Sequence, residues 1–502
     1  MLFVEFRFLV FFLIVVAVYW TLRSNTWRKA WLLLASHFFY ACFFVGDPLA
    51  FVANVRAGAW DKLPTGWWFP SLLWCSTVVD YAVGLGIDRS QTRTARRAWL
   101  LASLTMNLGV LGFFKYFNFF LGNAAAFFDW LQVPHALRPL DIFLPYGISF
   151  YTFQSLSYSI EVYRGALPAQ KNFLNLSFFI AFFPQLVAGP IVRAMKFLPQ
   201  TFEKRVWSNV DVRACATLFF IGFVKKACIS DSVARVVDAY FAAPSEYDAY
   251  SAWVAVVLYA VQIYCDFSGY TDMAIATARL LGYELTQNFN SPYFSTDVTD
   301  FWRRWHMSLS SWLRDYLYIP LGGNRGSTTF TYRNLMLTML LGGLWHGAAW
   351  NFVAWGGFHG LALIVHREWQ RFADKIGWVR GVMAWCAVPL TFYWVCIMWI
   401  LFRAQPVRDS SGQVVAGSVT VARTVLESFV LLRSPGHRSF SITCVWVLVG
   451  LAVAHWISSR QVLAKLWRQI PDWVLGTLLG LGTALALAFV RVDYRQFIYF
   501  QF

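Results

Sequence analysis

The sequence predicts an all-α, polytopic integral membrane protein. Three observations carry that prediction: the balance of apolar to charged residues, the length of the apolar blocks, and the position of the basic residues beside them. The 502 residues are 58% hydrophobic and 14% charged. Soluble domains carry about 25% charged and about 45–50% apolar residues. A soluble chain of this length would divide into several domains; here the apolar residues come in long runs that need lipid as solvent.

A membrane-spanning helix needs ~20 mostly apolar residues. Stretches 172–192, 382–402, 439–459 and 473–490 meet this without an Asp, Glu, Lys or Arg. Stretch 334–366 is equally free of charge and long enough for two segments or one bent one. Further candidates are 8–22, 30–46, 63–79, 98–114, 142–160 and 249–265, and 214–224 is short enough to be re-entrant. The expected total is about ten to thirteen segments. The first has no small-residue cleavage signature and is followed at once by more spans, so it reads as a retained helix.

A net charge of +16 invites a nucleic-acid reading. The placement of the basic residues argues against one. Arg23, Arg28 and Lys29 follow the first apolar block, and Arg89, Arg93, Arg96 and Arg97 follow the third. By the positive-inside rule both connections are expected in the cytoplasm. The 26 Trp and 22 Tyr suit extensive headgroup-level surface. The eight cysteines are scattered without a CxxC, so they read as small hydrophobes and not as a disulfide or zinc framework.

The chain is expected to form one membrane-embedded domain, with scaffold helices in 1–140, a catalytic middle in 141–366 and scaffold helices in 367–502. The middle is richer in Gly, Pro, His, Asp, Asn and Arg while still lying in apolar surroundings. Ionisable groups at membrane depth are costly and mark a functional interior. Residues 404–438 read as an extramembrane connection with a short amphipathic stretch.

Within the middle, residues 301–317 read FWRRWHMSLSSWLRDYL. Taken as one helix, Trp302, Trp305, Leu309, Trp312, Leu313 and Tyr316 share a face opposite Arg303, Arg304, Ser308, Ser311, Arg314 and Asp315. That is an interfacial amphipathic helix with His306 at the edge of its aromatic side. Residues 341–352, LGGLWHGAAWNF, place His346 among small residues that admit a second helix or a ligand. A neutral imidazole there could serve as a general base; alone, either histidine could equally be a packing residue. His359 lies 13 positions beyond His346, about 220° around a continuous helix. It and His366 therefore read as structural or interfacial. In FFPQLVAGPIVR (182–193), Pro184, Gly189 and Pro190 should break a helix, which is tolerated at membrane depth only inside protein or beside a cavity. In YCDFSGYTD (264–272), Asp266 and Asp272 flank Gly269; a helix break or cap fits better than a metal site. No Rossmann, Walker A or GxSxG signature occurs.

These strings, with LPYGISFYTFQSLSY (144–158), NFNSPY (288–293), LYIPLGGNR (317–325), RNL (333–335), WGGFHG (355–360) and FIYFQF (497–502), resemble the membrane-bound O-acyltransferase (MBOAT) family, in its bacterial branch typified by the alginate O-acetylation membrane protein. The resemblance spans residues 100–366 and the last block. The stretch 46–68 is longer than that pattern expects.

The resemblance implies a ring of tilted transmembrane and re-entrant helices around a thinned centre with a tunnel. It implies an O-acetyltransferase of the bacterial inner membrane whose essential histidine is His346, with His306 as a second functional histidine. Acetyl-CoA would be the donor substrate, with no bound cofactor and no metal. An SGNH-type periplasmic acetyltransferase would be the partner, and an exported polysaccharide such as alginate the acceptor. A thioester is already activated, so the protein need supply only a base and oxyanion donors. Arg303 and Arg304 are candidates for CoA phosphates or lipid headgroups. Asp300, Asn324, Trp345, Arg314 and Asp315 are candidate supports. Peptidoglycan, cellulose or teichoic acid (by D-alanyl transfer) stand as alternative acceptors. A transporter is the alternative from another class, since broken helices also line ion paths, although no matched pair of interrupted segments is visible.

Overall fold

The computed structural model describes residues 1–45, 48–59, 63–64, 66–375, 377–408, 414–460, 469–490 and 497–498. Parts of two expected features lie outside the described residues: positions 46, 47, 60–62 and 65 of the long stretch 46–68, and positions 499–502 of the terminal block. Among the described residues the regular structure is helical, apart from one short hairpin and an isolated bridge between Tyr247 and Arg438. Among these residues four helical segments are long and apolar enough to cross a membrane: Phe69–Arg89, Arg93–Trp130, Ala249–Leu280 and Trp385–Arg403. This is an all-α, multi-pass membrane architecture. The chain divides into two compact units, Met1–Phe219 with Tyr270–Thr286, and Phe220–Gly269 with Gln287–Phe502.

In the first unit, α1 (Phe6–Thr21) and α2 (Asn25–Val45) are followed by α3 (Pro48–Arg56), α4 (Phe69–Arg89), α5 (Arg93–Leu111) and α6 (Phe117–Trp130). Pro70 opens α4, where its missing N–H costs nothing. The Thr92 side chain caps α5 by accepting from the Ala95 amide. A single wide π-turn, Gly112–Tyr116, joins α5 to α6, so the apolar run read as 98–114 extends well beyond both limits.

Helix α7 (Ile148–Arg164) stands between two left-handed glycines, Gly147 and Gly165. It packs with α4 and α5 around Asp80, which is fully buried. Asp80 accepts from Ser103 Oγ at 2.6 Å, Ser159 Oγ at 2.9 Å and Asn107 Nδ2 at 3.1 Å. One carboxylate thus joins three helices, with polar residues of α5 and α7 supplying its donors.

The FFPQLVAGPIVR segment breaks as expected. Helix α8 (Phe173–Ala181) ends, α9 (Phe183–Leu186) makes one turn with Pro184 at its start, and the chain then runs without helix to α10 (Ala194–Phe197). The broken stretch is buried in protein.

Two of the basic residues after the first block lie in a helix and not in a connection. Arg28 and Lys29 lie within α2 and are 7% and 6% exposed. Arg28 donates to the carbonyls of Leu22 and Arg205 at 2.7 Å each, and Lys29 donates to Asn175 and the Thr201 carbonyl. Of their acceptors, the Leu22 and Thr201 carbonyls close helical segments, where leftover carbonyls favour a cation.

The chain next forms α11 (Val212–Phe223), a π-helical stretch Val224–Ser230, α12 (Asp231–Ala242) and α13 (Ala249–Leu280). The helix break expected around Gly269 is absent: α13 is continuous for 32 residues. Gly269 serves close approach instead. A Cβ there would lie 2.6 Å from the Gly222 carbonyl oxygen and 3.0 Å from Lys225 Cβ.

In the second unit follow α14 (Val298–Arg304), α15 (Met307–Leu313), α16 (Thr328–His346), α17 (Trp350–Ala373) and α18 (Gly377–Arg403). A hairpin of β1 (Val407–Arg408) and β2 (Val414–Ala416) leads to α19 (Ser418–Val430), then to α20 (Thr443–Ser459) and α21 (Asp472–Leu487). Positions 409–413 of the connection read as extramembrane lie outside the described residues. Helix α19 is its amphipathic stretch, burying Val421, Val425 and Phe429. Not all cysteines are interior: Cys75 and Cys386 are exposed.

Candidate active site

The continuous amphipathic helix expected over 301–317 does not form. The Asp297 side chain caps α14, which ends at Arg304. His306 then takes a left-handed backbone, φ 44°, before α15 begins. A left-handed conformation costs a non-glycine residue roughly 1–3 kcal/mol and persists only where the surroundings impose it. Asn288 does so. Its carbonyl accepts from the Met307 amide at 2.9 Å, and its side chain accepts from the Ser308 amide at 3.1 Å. Asn288 is itself fully buried. A residue of the NFNSPY string thus satisfies the first amides of α15 and fixes the break that presents His306.

His306 has no solvent exposure. Burial pushes its pKa well below the ordinary histidine range, so the ring is neutral. Its ring stands 4.6 Å from Phe267 at 89°, and 6.1 Å from Trp345 at 62°.

His346 is the last residue of α16, and Gly347–Ala349 separate it from α17. The stretch read as one or two segments is therefore two, and the rotation assigned to His359 on a continuous helix does not apply. The two helices meet through glycines: a Cβ on Gly343 would lie 3.1 Å from Gly356 Cα and would collide with the Phe352 carbonyl oxygen. This contact brings Trp355 of α17 within 5.1 Å of the His346 ring. Trp345 at 5.0 Å and Phe402 at 5.3 Å complete an aromatic surround. Trp345 is in ring contact with both histidines.

A cavity of about 450 Å³ opens beside His346. Its walls are mostly apolar and include Trp302, Leu309, Leu313, Met339, Gly342 and Trp355. Arg303 and Arg314 also line it, and among the described residues no carboxylate does. Arg303 is exposed and the Arg314 side chain is 62% exposed, whereas His346 is 4% exposed. One space therefore touches two cations near solvent and one buried imidazole. Chemically, such a space suits a ligand with an anionic end and a reactive end.

The expected site residues do not all reach it. His346 and Arg303 line the cavity, as does the support Arg314. His306, Trp345, Arg304, Asp300 and Asn324 are not among its lining residues. Arg304 is held by Asp300 at 2.9 Å. Asn324 accepts from Tyr318, a cavity residue, and from Arg367 at 3.3 Å. Asp315 holds Arg314 at 2.6 Å. His359 is buried against Trp302 and Trp355, and His366 lies 3.3 Å from Asp297. Sequence reasoning assigned no role to Asn288 or Phe267. Their signal was present only as motif letters, because what they contact is remote in sequence.

The model of the membrane-bound O-acyltransferase family, MBOAT, matches residues 75–404. The chain belongs to this family, and it is a multi-pass membrane acyltransferase. The probable alginate O-acetylase of Pseudomonas aeruginosa is 42% identical over 409 residues, covering 79% of this chain and 71% of the relative. The peptidoglycan O-acetyltransferase of Helicobacter pylori is 32% identical over 527 residues, covering 96% and 92%. The teichoic acid D-alanyltransferase of Bacillus subtilis is 28% identical over 301 residues, covering 57% and 75%.

Proposed function

We propose that the protein takes acetyl groups from cytoplasmic acetyl-CoA at the bacterial inner membrane and passes them outward for O-acetylation of an exported polysaccharide such as alginate. The observation that carries this reading is a cavity shared by His346 and two arginines, with no carboxylate among the described residues that line it. Arg303 and Arg314 would receive phosphates of the donor, and the apolar walls would take its less polar arm. The names of the relatives, alginate O-acetylase and peptidoglycan O-acetyltransferase, support an acetyl group and a polysaccharide acceptor.

In this reading His346 accepts the proton of the attacking hydroxyl. The hydroxyl oxygen forms a bond to the thioester carbonyl carbon, the C–S bond breaks, and the departing thiolate takes up a proton. His306 acts by positioning, and the reacting groups fall within the expected catalytic middle, 141–366. The hydroxyl belongs either to the polymer or to a carrier, and an SGNH-type periplasmic acetyltransferase would complete transfer.

The test is inverted membrane vesicles loaded with that partner and given labelled acetyl-CoA outside. Wild-type protein should label the lumenal acceptor, and His346→Ala should lower the rate by about 10²–10⁴ at equal protein level. Near-normal labelling by the mutant would remove His346 from the chemistry. Absence of labelling by active wild-type protein would remove acetyl-CoA as the donor. Peptidoglycan as acceptor is favoured by the near-complete overlap with the Helicobacter relative, and analysis of which polymer loses acetate in a deletion strain separates the two.

A further inference from the structure

Asp266 and Phe267 are adjacent on α13, and their contacts lead in two directions. Phe267 meets His306 edge to face, as described above. Its ring also lies 5.4 Å from Phe497 at 65°. Asp266 is 2% exposed, and its Oδ2 accepts the Ile498 backbone N–H at 2.8 Å across 232 positions of sequence. Phe497 and Ile498 are themselves 0% and 3% exposed. The last described residues of the chain are therefore pinned beside a residue that packs on His306.

The charges around Asp266 explain its second oxygen. Its Oδ1 lies 2.6 Å from Lys226 Nζ, and Lys226 also meets Asp231 Oδ1 at 2.8 Å. Lys226 is 3% exposed. Two carboxylates thus share one cation. Asp231 begins α12, which continues directly from the π-helical stretch that carries Lys226. Asp266 lies inside α13, and its second oxygen is taken by the amide of Ile498. A buried amide needs an acceptor, and a carboxylate is a strong one. Lys226 holds the carboxylate so that Oδ2 remains for the strap.

We propose that Asp266 is a positioning residue for acetyl transfer: it holds Phe497 and Ile498 against Phe267 and through that ring sets His306. The proposal rests on the acetyl-transfer reading of His306 and His346. A shift of the order of 1 Å at a reacting group costs about 10²-fold in rate, so loosening the strap should be visible in kcat.

The experiment compares two double variants of the full-length protein, Asp266→Ala/Lys226→Met and Asp266→Asn/Lys226→Met. Both remove the buried ion pair, but only the second retains an acceptor for Ile498. The readouts are initial transfer rate, KM for acetyl-CoA, and hydrogen exchange of a peptide containing Ile498. We expect the alanine pair to lose about tenfold or more in kcat with KM unchanged and to exchange rapidly. The asparagine pair should recover both rate and protection. Ile498→Pro removes the donated hydrogen with Asp266 and Lys226 in place, while also replacing the buried Ile side chain and fixing φ, and should reproduce the kinetic loss if the alanine pair proves too unstable to purify. Equal rates for the two double variants, or full activity of Ile498→Pro, would overturn the proposal. A wild-type protein inactive with acetyl-CoA, or a fully active His346→Ala, would instead overturn the reading beneath it.

Discussion

Replacing Gly343 with alanine should cost far more activity than stability. Gly343 of α16 faces Phe352 and Gly356 of α17, and the added methyl would lie inside contact distance of the Phe352 carbonyl and 3.1 Å from Gly356 Cα. Both neighbours are backbone atoms, so no side chain can swing aside. Restoring ordinary contact requires the helices to part locally by about 1 Å, and overpacking of this kind costs about 1–3 kcal/mol. Alanine returns about 1 kcal/mol of helix propensity, leaving a net loss near 0–2 kcal/mol. His346 lies three residues beyond, at the end of α16, while Trp355 is beside Gly356 on α17. The parting therefore falls directly on the pair that walls the cavity. A 1 Å misplacement is worth about 10²-fold in rate. Gly357→Ala is the control, because its methyl meets only the tip of Leu340 at 3.3 Å. The assay is initial transfer rate at matched protein level, with thermal unfolding in detergent alongside. If Gly343→Ala retains a rate within a few-fold of Gly357→Ala, the glycine contact does not set the site.

The remaining predictions concern the two histidines, the topology and the first unit. His306→Ala and His346→Ala should be non-additive, the double mutant being about as slow as the worse single, because residues acting as one unit do not contribute independently; rates of all four proteins decide this, and a wild-type rate for His306→Ala would make that residue mere packing. Ser24→Cys and Gln91→Cys, exposed positions beside the first and third apolar blocks, should resist a membrane-impermeant thiol reagent applied to intact spheroplasts of a strain lacking Cys75 and Cys386; ready labelling at either position would reverse the expected orientation. Asp80→Ala should lower the unfolding temperature in detergent, since each donor left without its acceptor costs about 1–3 kcal/mol, and an unchanged midpoint would show that Ser103, Asn107 and Ser159 find other partners.

What the sequence reveals about this molecule follows the range of the interactions involved. The apolar blocks, the proline-broken stretch at 182–193 and the small residues around His346 are local signals, and the structure forms local features at each. The helix drawn over 301–317 fails because its break is imposed from outside. Asn288 captures the amides of Met307 and Ser308, and nothing in the pattern of residues 301–317 records that. The opposite error at Gly269 has the same origin. A glycine between aspartates looks like a helix break, but the residue is small because another backbone passes beside it. Arg28 and Lys29 were legible as a basic cluster but not as buried side chains, because their carbonyl partners come from residues near 200.

The same distinction between local and imposed structure gives the two histidines unequal surroundings. His346 reaches the cavity, and its neighbours Trp345, Trp355 and Phe402 supply walls without a competing charge. His306 does not line that space, and its backbone is strained to hold it where it is. Strain of this kind survives only when the surroundings over-determine it, and here Asn288, Phe267 and Trp345 do so together. In the acetyl-transfer reading we propose, His346 is the base. His306, in ring contact with Trp345, whose ring also meets His346, acts by positioning.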